Sequence, residues 1–172
     1  MYYITEIDSN TVAVSCGYNT ILIINISTRS ITSTIKTSGY CCGISYNDNN
    51  LRYRYPRHYS RQRQVGLYRL DITSIYCCSL DGKVMWKFKK DEFQDLTRVT
   101  TDNEGNVYVT DERTHTVIVV SDDGKHHREL LTESDGLNRP WGIYFDKKEN
   151  VLLVCNERDG NAFLFDVIKK LT

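Results

Sequence analysis

The sequence predicts an all-β protein, a β-propeller of about four four-stranded antiparallel blades forming a partial or open ring. Three observations carry this prediction: a strand-rich composition, an apolar run that recurs along the chain, and polar turns at fixed places around each run. Two prolines, twelve tyrosines and abundant Val, Ile and Thr in 172 residues favour strands over helices. The apolar runs are TILIINI from Thr20, SIYCCSL from Ser74, TVIVVSD from Thr116 and NAFLFDV from Asn161, giving intervals of 54, 42 and 45 residues. Each opens on a polar residue and continues through four largely apolar ones, as suits a strand buried on both faces.

Each run reads as the third strand of a repeating unit. The second strands are NTVAVS (10–15), GLYRLD (66–71), NVYVTD (106–111) and NVLLVC (150–155). First strands precede three of them: GISY (43–46), RVTT (98–101) and GIYF (142–145). SITSTI, KVMWKF and HRELL follow the runs as fourth strands. NEG or KEN marks the first hairpin and DG the third. The blades are expected at about 1–38, 39–90, 91–132 and 133–172. Such units repeat without intervening helices, and neither apolar face of a blade can be covered except by the next blade.

The longest interval has its excess in NDNNLRYRYPRHYSRQRQVG, residues 47–66, read as an irregular loop between the first and second strands of blade two. Arg52, Arg54, Arg57, Arg61 and Arg63 alternate there with Tyr53, Tyr55 and Tyr59, and Asp48 is the only acid. Arginine for phosphate and tyrosine for base stacking would suit single-stranded RNA, so Arg52 to Arg63 form the candidate RNA-binding segment. A solvated insertion is the plainer reading of the same residues.

The totals exclude several classes. Twenty-two basic and twenty-two acidic residues cancel, so no global field draws the chain to nucleic acid or membrane. No apolar run reaches the roughly 18 residues of a membrane span, and MYYITEIDSN does not read as a signal peptide. The six cysteines, Cys16, Cys41, Cys42, Cys77, Cys78 and Cys155, include two adjacent pairs. They suggest reduced thiols of a cytoplasmic protein rather than a disulfide framework. Adjacent strand residues point to opposite faces, so neither pair grips a zinc ion easily. No nucleophile elbow, phosphate loop or H-E-x-x-H is present. The inner strands GISY, RVTT and GIYF hold no carboxylate, leaving Arg98 as the only charged candidate near a central channel. The chain is therefore expected to be no enzyme and to hold no metal or cofactor, a metal-dependent propeller lactonase being the remote alternative.

What remains is surface. In a propeller, loops joining second to third strands share a face with connections between blades. Here these are CGYN (16–19), DERTH (111–115) and NERDG (156–160), with DEFQDLTR and ESDGLNRPW between blades. The candidate partner-binding residues are Tyr18, Asp111, Arg113, His115, Arg139, Trp141 and Arg158, since Arg, Trp and Tyr dominate binding hot spots. Asp111 could equally cap its own turn, and Trp141 could wedge between blades.

The units LTRVTTDNEGNVYVTDERTHTVIVVSDDGK and LNRPWGIYFDKKENVLLVCNERDGNAFLFD resemble NHL repeats. The features they have in common with such repeats are, between them, a R-P-x-G-I start (Arg139 to Ile143), a D-x-x-G-N or equivalent turn, V-Y-V-x-D (Val107 to Asp111), a polar loop and an apolar strand. The resemblance covers nearly the whole chain, is clearest from Ser74 onward, and is to the propellers at the C-terminus of tripartite-motif proteins. It implies a non-catalytic module that recognises protein, or alternatively RNA, as the substrate-recognition region of a ubiquitin ligase does. The family usually closes a ring with six blades and carries RING, B-box and coiled-coil segments upstream. None of those spacings occurs here, and four blades leave open edges that could support self-association.

Overall fold

The computed structural model describes residues 2–16, 19–37, 41, 43–47, 50–54 and 74–167. Blade one comprises β1 (Tyr2–Asp8), β2 (Thr11–Cys16), β3 (Thr20–Asn25) and β4 (Ser30–Lys36). Blade two comprises β5 (Ile44–Asn47), β6 (Asn50–Arg54), β7 (Ser74–Ser79) and β8 (Val84–Lys89). Blade three comprises β9 (Leu96–Thr101), β10 (Val107–Asp111), β11 (Thr116–Val120) and β12 (His127–Leu131). Blade four comprises β13 (Pro140–Asp146), β14 (Val151–Asn156) and β15 (Ala162–Asp166). Every sheet pairs its strands antiparallel in chain order. The chain is a β-propeller of four blades. Among the described residues the only helix is a short 3-10 turn, Glu133–Asp135, and none is long and apolar enough to cross a membrane.

Two elements differ from the sequence expectation. YYITEID forms β1, a first strand for blade one that the repeat comparison passed over. In blade two the second strand is β6, starting at Asn50, and not GLYRLD (66–71), which lies outside the described residues. Asn47 and Asn50 close a tight hairpin, and β6 pairs with β5 on one side and β7 on the other, which fills the second position of the sheet. The extra chain, residues 55–73, therefore joins second to third strand and is not inserted between first and second.

Side-chain alternation gives each blade a forward face toward the next blade and a rear face toward the previous one. Ala13, Ile21, Ile23 and Ile35 on the forward face of blade one pack with Ile44, Leu51, Tyr53 and Cys78 of blade two. Ile75 and Phe88 of blade two pack with Val99, Val107, Val109, Ile118 and Val120 of blade three. Tyr108, Val117 and Val119 of blade three pack with Phe145, Leu152 and Val154 of blade four. These three clusters explain the continuous apolar reading of β11, each residue of which is buried. Each fully buried Val or Ile contributes about 1.5–3 kcal/mol, so the interfaces between blades dominate the stability. Cys77 and Cys78 are buried on opposite faces of β7, as their adjacency requires.

Short polar links fix the angles between blades. Ser45 and Thr101 share a hydrogen bond of 2.9 Å between β5 and β9. Phe145 N–H donates to Thr100 Oγ1 at 3.2 Å between β9 and β13. Gly43 has φ +78°, and a Cβ there would meet the backbone N of Val99 at 3.3 Å, so a glycine lets the start of β5 approach β9. Trp86 Nε1 donates to the Asp122 carbonyl at 2.7 Å, seating blade two on the DG turn of blade three.

Candidate functional site

The innermost strands β1, β5, β9 and β13 line a central channel of about 680 Å³. Arg98 is not the only charged group there: Glu6, from the strand the repeat comparison passed over, and Lys147 also line it. The Arg98 guanidinium carbon lies 4.4 Å from the ring centroid of Tyr3 and 4.5 Å from that of Trp141. All three residues stand near the starts of their strands, which places this stack at the channel mouth on the loop face. Trp141 thus spans blades three and four through Arg98 and is half-buried.

Around that mouth, the β10–β11 and β14–β15 loops repeat one design. Asp111 is fully buried, and its carboxylate accepts the backbone N–H groups of Gln94, Asp95, Arg113 and Thr114 at 2.7–3.2 Å. Two of those donors belong to the connection from blade two and two to its own loop. Asn156 does the same work in blade four. Its Oδ1 accepts Asn138 N–H at 3.0 Å, while its Nδ2 donates to the Gly136 carbonyl and to Asp159. Asp111 is therefore the internal anchor of the loop and not a contact residue, a correction that follows from its burial and four N–H donors.

The next residue on each loop, Glu112 and Glu157, pairs with Arg139, through Oε1 of Glu112 and at 3.1 Å to Oε2 of Glu157. Arg139 sits at φ 53° and His115 at φ 58°, both in the left-handed region. The Arg139 N–H donates to His115 Nδ1 at 3.4 Å, and its carbonyl accepts the Glu157 N–H at 3.0 Å. Arg139 and His115 thus brace the two loops against each other. The following residues, Arg113 and Arg158, occupy equivalent positions in neighbouring blades and are exposed. Of the expected partner-binding set, Arg113, His115, Arg139, Trp141 and Arg158 come together on one face, whereas Tyr18 lies outside the described residues.

The candidate RNA segment is not a unit. Arg52 and Tyr53 are buried in β6, on opposite faces, and are no part of an exposed loop. Tyr53 stacks on Tyr76 with ring centroids 5.4 Å apart. Arg52 donates to the Asn47 carbonyl at 3.2 Å, and its Nη2 lies beside Gly105 of blade three. Arg54 ends the strand, while Tyr55, Arg57, Tyr59, Arg61 and Arg63 lie outside the described residues. Burial of Arg52 and Tyr53 follows from strand alternation, which puts Leu51 and Tyr53 into the interface with blade one.

Among the described residues no three His, Cys, Asp or Glu side chains converge as metal ligands. Cys16, Cys77, Cys78 and Cys155 carry free thiols. Burial pushes the Cys78 thiol up to about 12 and also raises that of Cys77, where Arg52 partly opposes the shift.

Solved structures share this architecture. A chain of a nidogen/laminin complex superposes with a TM-score of 0.73 at 18% identity, over 95% of this chain and 59% of that one. The likeness is one of fold. The allergen Mala s 1 of Malassezia sympodialis gives 0.67 at 23% identity over 93% of this chain and 57% of that chain. The computationally designed protein Ika4 gives 0.63 at 12% identity over 95% of this chain and 89% of its own. The chain thus spans 59% of the length of the nidogen/laminin chain it matches. No family model matches the chain, and no curated protein matches its sequence.

Proposed function

We propose that the chain is a non-catalytic interaction module that binds a protein partner through the loop face of blades three and four. The observation that carries this reading is the pair of exposed arginines, Arg113 and Arg158, on two loops locked by Asp111, Asn156 and the Arg139 bridge. Long cationic side chains on a rigid frame lose less entropy on binding than those on a mobile loop. With the Arg98 stack beside them, they suit an acidic protein segment. The resemblance of these two blades to NHL repeats supports the narrower reading, a recognition region like that of tripartite-motif ubiquitin ligases. That a superposable propeller comes from a nidogen/laminin complex is compatible with a protein partner. The free thiols support a cytoplasmic setting.

Catalysis forms no part of the proposal. Among the described residues the channel lining holds one carboxylate, Glu6, and two cationic side chains, Arg98 and Lys147, a donor set poorly suited to a divalent cation. The test is site-specific photo-crosslinking in cells from positions 113 and 158, with position 148 on the opposite face as control. The expected result is one shared protein adduct from 113 and 158, resistant to nuclease, absent from 148, and lost on Arg113→Glu/Arg158→Glu. Adducts independent of position would overturn the reading, and adducts sensitive to nuclease would replace it with RNA binding.

A further inference from the structure

Arg52 is a buried cation without a counter-charge. It lies on the forward face of blade two, in one cross-strand row with Ser45 and Cys77, and is 3% exposed. In the same row the other blades place Ala13, Tyr108 and Leu153. A guanidinium carries five N–H donors and a full charge, and burying either unpaired is costly. Among the described residues Arg52 makes one hydrogen bond, from Nη1 to the Asn47 carbonyl, and its buried Nε has no acceptor. No carboxylate among them forms an ion pair with it.

Blade three shows what is missing. There the Tyr108 hydroxyl donates to the Asp102 carboxylate at 3.0 Å. Register sets Ser45 opposite Arg52 as it sets Thr100 opposite Tyr108, so Asn47 stands where blade three has Asp102. Asp8 and Asp146 end the first strands of blades one and four, which leaves blade two with a neutral amide at this position. Further donors gather at the same spot. Lys147 of blade four donates from Nζ to Asn47 Oδ1 at 2.7 Å. Gly105 of blade three has φ +86°, and the point where its Cβ would stand is 3.2 Å from Arg52 Nη2 and 3.4 Å from Asn47 Nδ2. Asn47 and Lys147 line the channel at the end remote from the loop face, and Lys147 is exposed.

We infer that blades two, three and four bind a phosphate group here, as inorganic phosphate or as a small phosphomonoester. Arg52 and Lys147 supply two positive charges and Asn47 an amide N–H, donor types that recognise phosphate. Two cations are matched better by a dianion than by a single carboxylate. The burial of Arg52 restricts the bound end of the ligand to a small group. The site lies within the contacts of blades two to four, on the face opposite Arg113 and Arg158, and is independent of the loop-face proposal.

Asn47→Asp tests it with little change of shape, because it sets a carboxylate between Arg52 and Lys147. Thermal melts are compared at constant ionic strength, with phosphate replacing chloride. About 10 mM phosphate is expected to raise the wild-type Tm by about 5 °C, as a Kd of about 0.1 mM would give. Asn47→Asp is expected to melt higher than wild type in chloride and to gain less than about 1 °C from phosphate. Lys147→Ala, at an exposed position, is expected to bind phosphate about tenfold more weakly by isothermal titration calorimetry. Glycerol phosphate run beside inorganic phosphate identifies the source, the tighter binder being the natural class. A wild-type Tm indifferent to both phosphates would overturn the inference. So would an Asn47→Asp chain that melts below wild type in chloride or keeps the full phosphate shift, and so would unchanged affinity in Lys147→Ala.

Discussion

At the scale of single residues, chemistry visible in the sequence and position visible only in the fold part company. Asp111 stands in a polar loop among charged neighbours, and the one local sign that sets it apart from Arg113 is that an aspartate there can cap its own turn. In the fold it is fully buried beneath four backbone N–H groups, while Arg113 is exposed. Removing the carboxylate leaves those donors without acceptors, each costing about 1–3 kcal/mol where water cannot replace it. Asp111→Ala is expected to lower stability by about 3 kcal/mol, or roughly 6–12 °C in Tm for a chain of this size. Arg113→Ala is expected to shift Tm by less than about 2 °C. Thermal melts of the two variants check the contrast, and equal shifts would mean that Asp111 is not the anchor. Arg52 teaches the same lesson in reverse. An arginine in an Arg/Tyr-rich segment reads as a solvent-facing cation, yet pairing of β6 with β7 turns it into the interface between blades two and three.

At the scale of elements, the third strands were legible because burial on both faces calls for four or five apolar residues in a row, and that run recurs in each blade. Several first and second strands mix polar and charged residues into the run, as YYITEID and NLRYR do, so their signal is weaker, and both misreadings fell on them. YYITEID mixes tyrosine, isoleucine and threonine with two acids and was passed over. The repeat comparison also aligned Asp111 with Cys155, whereas its structural counterpart is Asn156. Between equivalent pairs, Thr100 with Tyr108 and Tyr144 with Leu153, the first hairpin of blade four is one residue longer than that of blade three, which moves β14 by one. Turn chemistry was more legible, and the DG turns fall where expected. Gly124, in one of them, has φ +73°, and a Cβ there would come within 2.7 Å of the Trp86 ring. Gly124→Ala combines left-handed strain with this clash and is expected to cost about 2 kcal/mol. Combining it with Trp86→Leu is expected to recover part of that loss, giving a non-additive double-mutant cycle by urea unfolding. Strict additivity would show that Trp86 does not rest on the turn.

At the scale of the molecule, the stacking of four blades was legible from the count of four repeats, because each blade requires a neighbour on both faces. Which residues each face presents was not legible, since forward and rear depend on register. The ionisable groups set a further whole-molecule property, the range of pH over which the arc is stable. Asp81 and Asp123 sit in the two DG turns and are held below the usual carboxylate value of 3.8 by the hydroxyls of Ser79 and Ser121, then by the backbone N–H groups of Lys83 and Lys125. Asp159 is lowered in the same direction, chiefly by the Asn161 N–H. A carboxylate whose folded pKa is depressed contributes stability above its unfolded pKa and loses it as pH falls through the folded one, so an acid decline is expected below about pH 4. Burial acts oppositely on Cys77, Cys78 and Tyr108, raising each above its ordinary value. A raised pKa in a group that is neutral when protonated contributes stability below the unfolded value. For Cys78 that contribution is lost as pH climbs from 9.0 toward about 12. Melting temperatures are therefore expected to form a plateau from about pH 4 to pH 9 with a decline on each side. Ser79→Ala/Ser121→Ala is expected to lower the plateau and flatten the acid arm, because it removes the leading cause of the depressed values at Asp81 and Asp123. Cys78→Ala is expected to flatten the alkaline arm alone. An acid arm unchanged in the serine variant would show that the turn carboxylates do not control it.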